Sequence, residues 1–61
     1  MEYENNGIFK SLTEREKRFW RNFHSTKSGN QLADMMNFQQ DLKAYGYEHQ
    51  RELEVLAEAY F

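Results

Sequence analysis

The sequence predicts an all-α protein, a small three-helix bundle with helices at about 12–24, 29–45 and 48–60, on three observations. Proline is absent, glycine occurs three times, and Ile and Val occur once each. That composition lacks the turn punctuation and β-branched content of a many-stranded protein. Apolar or aromatic side chains recur at Met35, Phe38, Leu42, Tyr45, His49, Leu53, Leu56 and Tyr60, in steps of three and four that average the period of an α-helix. Three S/T-x-x-E/Q capping boxes, Ser11 with Glu14, Thr13 with Glu16 and Ser28 with Gln31, mark helix starts.

In chain order, residues 1–10 read as a flexible or extended lead-in, and 11–61 as one helical domain. Ile8 and Phe9 form its first apolar pair, placed to tuck under the first helix. In that helix Leu12, Phe19 and Phe23 fall within about 40° on a helical wheel, and Trp20 lies about 80° from Leu12, at the shoulder of the stripe. His24 to Asn30 carries turn chemistry. The second helix has a wide apolar arc of Leu32, Met35, Met36, Phe38, Leu42 and Tyr45, which calls for neighbours on more than one side.

Gly46 divides two architectures. As a left-handed C-terminal cap it closes the second helix and gives the three-helix bundle. Yet Tyr47 and Glu48 are poor N-cap residues, and the stripe passes Gly46 without losing phase. The alternative is therefore a helical hairpin with one long C-terminal helix, 30–61, that dimerises.

A 61-residue chain has a small core, here dominated by ten aromatic residues and three Met. With no cysteine there is neither a disulfide nor a thiolate metal site, and no redox compartment can be read. Net charge is −2, but residues 1–27 hold six Lys/Arg against four Glu, whereas 28–61 hold two against six acids. The first helix is basic and the remainder acidic. No segment is long or apolar enough to span a bilayer, and no basic region followed by an apolar run opens the chain, so the cytoplasm is the expected location.

Catalytic patterns are lacking. Ser25 beside His24 is a loop neighbour rather than part of a triad, and Glu54 with Glu58 is an ordinary solvated pair. His49 and Glu52 have i,i+3 spacing seen in helical metal sites, but His49 lies in the apolar stripe. No enzyme activity, metal or cofactor is expected. Leu32, Ala33, Met36, Asn37 and Phe38 resemble the opening of a helix-turn-helix, but Lys43 and Gly46 then occupy positions that should be apolar.

The composition points instead to a small non-enzymatic protein-interaction module, an adaptor, inhibitor or regulatory subunit. It would bind a larger protein through an aromatic and basic helix face. Trp20 is the expected anchor, entering a partner's pocket while Arg18 and Arg21 pair with acids at its rim, with Arg15 and Met36 extending the surface. The alternative is nucleic-acid binding by the basic-aromatic helix 13–27, and a homodimer is a further possibility.

Overall fold

In the computed structural model, which describes residues 2–61, the chain forms a 3-10 turn (Glu2–Asn5) and four α-helices. These are α1 (Gly7–Lys10), α2 (Glu14–Thr26), α3 (Gln31–Tyr45) and α4 (Gln50–Tyr60). The three long helices α2, α3 and α4 are the bundle the sequence predicts; the short α1 packs on α4 and on the 3-10 turn.

Each helix boundary has a local chemical cause. Thr13, not Ser11, caps α2: its hydroxyl accepts from the Glu16 N–H at 3.2 Å, and the Glu16 carboxylate accepts from the Thr13 N–H at 2.8 Å. Ser11 instead closes α1, donating its hydroxyl to the Ile8 carbonyl at 2.7 Å. Asn30 caps α3 through the Ala33 N–H, displacing the expected box at Ser28 and Gln31. Ser28 is drawn to Asp34, which accepts from both its N–H (3.0 Å) and its hydroxyl (2.9 Å) and so ties the α2–α3 loop to α3.

The long helix 30–61 does not form. Gly46 adopts φ 61° and ψ 48°, and its N–H donates to the Leu42 carbonyl at 3.0 Å, which is the left-handed closure only glycine adopts readily. A helix of that length would extend about 48 Å, whereas the longest dimension of the molecule is 27 Å. The radius of gyration, 10.5 Å, equals that of a folded chain of this length. The unbroken spacing of the stripe reflects two separate helices turning their apolar faces to one core.

The expected flexible or extended lead-in is the 3-10 turn and α1, joined at Asn6, and is part of that core; Met1 lies outside the described residues. Asn6 caps α1 by accepting from the Ile8 N–H at 2.8 Å. The 3-10 turn and α1 deliver Tyr3 and Phe9, both buried, against α2, with ring centroids 5.2 Å apart and Tyr3 5.7 Å from Trp20. At the centre lie Trp20, Phe38, Leu42, Leu53, Leu56 and Ala57. Burying such large side chains contributes about 1.5–3 kcal/mol each, so a few positions carry this small fold.

Candidate functional site

The start of α4 has no capping side chain of its own: His49 occupies the N-cap position and makes no such bond. The partner comes from another helix. The Glu16 carboxylate, 1% exposed, accepts from the His49 backbone N–H at 2.6 Å and contacts His49 Nδ1 at 2.8 Å, while also bonding the Thr13 N–H. One carboxylate therefore terminates two helices and fixes the far end of the Gly46–His49 turn. Burial pushes the Glu16 carboxyl up, but the hydrogen bonds from Thr13 and His49 outweigh it and hold the group below its ordinary value. The hydrogen bond to Glu16 raises His49, against burial and with help from the charges of Glu16, Glu48 and Glu52.

The near end of that turn builds a surface. Tyr45 ends α3, Gly46 reverses the backbone, and Tyr47 returns beside Tyr45 with ring centroids 5.7 Å apart. Both rings rest on Phe19 of α2, at 6.0 and 5.0 Å, and Phe19 stacks on buried Phe38 at 5.2 Å. Arg15, Arg18 and Asn22, spaced i, i+3 and i+7 along one side of α2, complete an open groove of about 380 Å³. The guanidinium of Arg15 lies 5.9 Å from the centre of the Tyr47 ring. Burial pushes the Tyr47 phenol up, with Arg15 opposing, so at neutral pH it is a neutral donor.

The cations of α2 divide by face. Lys17 and Arg21 are engaged internally: Lys17 meets Glu14 at 3.8 Å, Arg21 meets Glu4 at 3.6 Å, and both lie over the Phe9 ring, at 5.9 and 5.4 Å. Arg15 and Arg18, both exposed, have no carboxylate partner among the described residues. No acidic residue lines the groove. Its chemistry is two guanidiniums, an amide and two phenols over an aromatic floor, suited to holding an anionic group beside a flat apolar one.

The expected site residues separate in the structure. Arg15 and Arg18 come together at the groove. Trp20 is 0% exposed and is not an anchor for a partner. It stacks on Phe61 at 5.2 Å and meets Phe38 edge-on at 5.8 Å. The shoulder position that suggested exposure is covered by Tyr3 from the supposed lead-in and by Phe61. Arg21 faces the N-terminal turn, as above. Met36 is exposed on α3 with Leu32, at 55% and 73%, but does not line the groove.

Tyr45, Tyr47 and Asn22 were missed. The helical spacing places Tyr45 on the apolar stripe, but it is 60% exposed. The signal that finds the pair is Tyr-Gly-Tyr at a helix end, where a left-handed glycine sets the two rings side by side. Among the described residues, no three His, Asp or Glu cluster as metal ligands would. None of the described helices is long and apolar enough to cross a membrane. No protein-family model matches the chain, and no match is found among curated proteins or solved structures.

Proposed function

We propose that this protein is a small non-enzymatic interaction module, an adaptor, inhibitor or regulatory subunit, that binds a larger protein through the groove of Arg15, Arg18, Asn22, Tyr45 and Tyr47. One observation carries the reading. Among the described residues, two neighbouring arginines without intramolecular ion pairs flank exposed Tyr45 and half-buried Tyr47 on a floor rooted in the core, while the other cations of the same helix, Lys17 and Arg21, are occupied internally. Tyr and Arg are enriched among residues that dominate protein interfaces, because each brings large contact area and directed hydrogen bonds. A rigid floor lowers the ordering cost of binding.

The nucleic-acid alternative depended on rings of helix 13–27 being free to stack. Trp20 is fully buried and Phe19 is 9% exposed, which leaves half-buried Phe23 as that helix's one large ring with surface to offer and weighs against base stacking. The five cations of that stretch are also divided, Lys17, Arg21 and Lys27 meeting Glu14, Glu4 and the Tyr60 carbonyl and only Arg15 and Arg18 sharing the groove, which makes a short track for a phosphate backbone.

The test is capture from lysate, with and without nuclease, by the wild type and by the double variant Arg15→Glu/Arg18→Glu. A protein retained after nuclease and lost with the double variant is expected, with the variant's circular dichroism matching the wild type. Capture indifferent to both charge reversals, or abolished by nuclease, overturns the proposed function.

A further inference from the structure

Resting on that reading, we infer that the groove recognises a short linear acidic segment carrying one aromatic anchor, rather than a folded acidic surface. The charge complementarity is local: the groove holds Arg15 and Arg18 and no carboxylate, although the chain as a whole is acidic. A ligand bearing carboxylates is attracted there and repelled from the rest of the 28–61 region, where six acids face two cations. That repulsion disfavours a broad acidic partner surface and favours a narrow one.

Size argues in the same direction. About 380 Å³ is near the lower end of the ~300–1,000 Å³ found for ligand pockets, room for one large side chain with its flanking backbone. The floor is entirely aromatic. Phe19, Tyr45 and Tyr47 meet at tilted or perpendicular angles of 39°, 74° and 51°, and Tyr45, being exposed, leaves ring surface for another ring to pack in the edge-on or offset geometry aromatics prefer. Above that floor, Arg15 and Arg18 are separated by one helical turn, a Cβ spacing of ~5–6 Å. Acids two positions apart in an extended segment lie ~6.6 Å apart, so each meets one guanidinium. Asn22 and the Tyr47 phenol supply donors for the segment's carbonyl groups.

The occupant is thus an extended peptide with acids on both sides of a Trp, Tyr or Phe. Four ligands test it by fluorescence anisotropy: a labelled peptide with the core Asp-Glu-Trp-Glu-Asp, the same peptide with Ser for Trp, the same with Asn and Gln for the acids, and a single-stranded oligothymidylate. The first is expected to bind at least ~10-fold more tightly than either altered peptide or the oligonucleotide, the scale of one anchor or one charge-assisted contact. Arg18→Glu and Tyr45→Ala, both at exposed positions, are each expected to weaken it ~10-fold with unchanged circular dichroism. Equal binding of the Ser peptide reduces the groove to a charge patch and overturns the inference, as does tighter binding of the oligonucleotide. If no peptide binds while lysate capture still depends on Arg15 and Arg18, the linear segment is wrong and the proposed function stands. Capture indifferent to those arginines removes both.

Discussion

Replacing Glu16 with Ala tests the contact that joins the start of α2 to the start of α4. The substitution removes the acceptor of two backbone N–H groups, Thr13 at 2.8 Å and His49 at 2.6 Å, together with the contact to His49 Nδ1 at 2.8 Å. Hydrogen bonds to a charged group contribute ~1.5–3 kcal/mol each. Taking the lower figure for the two backbone bonds, because water reaches both helix starts once the side chain is gone, gives a loss of about 3 kcal/mol. A domain of this size is stable by only about 3–9 kcal/mol, so the variant stands near the edge of folding. At ~4–8 °C per kcal/mol, its melting temperature falls by ~12–24 °C. Glu16→Gln keeps one carbonyl acceptor and is expected to lose about half as much. Thermal denaturation by circular dichroism reads both, and hydrogen exchange is expected to show the first-turn amides of α4 losing protection ahead of those in the middle of α3. A fall below ~4 °C for Glu16→Ala would mean that the carboxylate does not hold the two helix starts together.

The pair also sets a pH dependence. Glu16, held below its ordinary value, contributes stability that is fully present above about pH 4.3 and is lost as pH falls through its depressed pKa. His49, held above its ordinary value, contributes stability present below about pH 6.5 and lost as pH rises through its raised pKa. His24, lowered by burial and by Lys27, runs the opposite way near neutrality. The difference in urea stability between wild type and His49→Gln therefore isolates His49, and it is expected to shrink as pH rises above about 6.5. Gly46→Ala forces a side chain into φ 61° with no neighbour to clash, and should cost about 1–2 kcal/mol by urea denaturation. Trp20→Ala should cost about 3–5 kcal/mol in the same assay, whereas Trp20→Phe keeps a ring against Phe61 and costs clearly less. Arg18→Ala, on the surface, should stay within about 0.5 kcal/mol of wild type.

Local chemistry made much of the fold legible in advance. Thr13 with Glu16 is a capping box satisfied within four residues, and Gly46 as a left-handed stop needs only its own backbone. What escaped depended on residues distant in sequence. The third helix looked uncapped because its cap, Glu16, lies 33 positions before His49. Trp20 looked exposed because Tyr3 and Phe61, which cover it, approach from opposite ends of the described chain. The site was half legible for the same reason. Arg15 and Arg18 follow from spacing on one helix, but Arg21 is drawn away from them by Glu4 and Phe9, and the tyrosines reach the groove only through the turn at Gly46. An apolar stripe likewise does not distinguish buried Phe38 from exposed Tyr45.

Site-specific photo-crosslinking locates the docking surface most directly. A photoreactive amino acid placed at Asn22, in the groove, or at Met36, on the exposed face of α3, samples two surfaces of the same folded protein. A crosslinked protein is expected from position 22, none from position 36, and loss of the product when Arg15→Glu/Arg18→Glu is added. Crosslinking from position 36 and not from 22, or a product that nuclease destroys, would contradict protein docking at the groove.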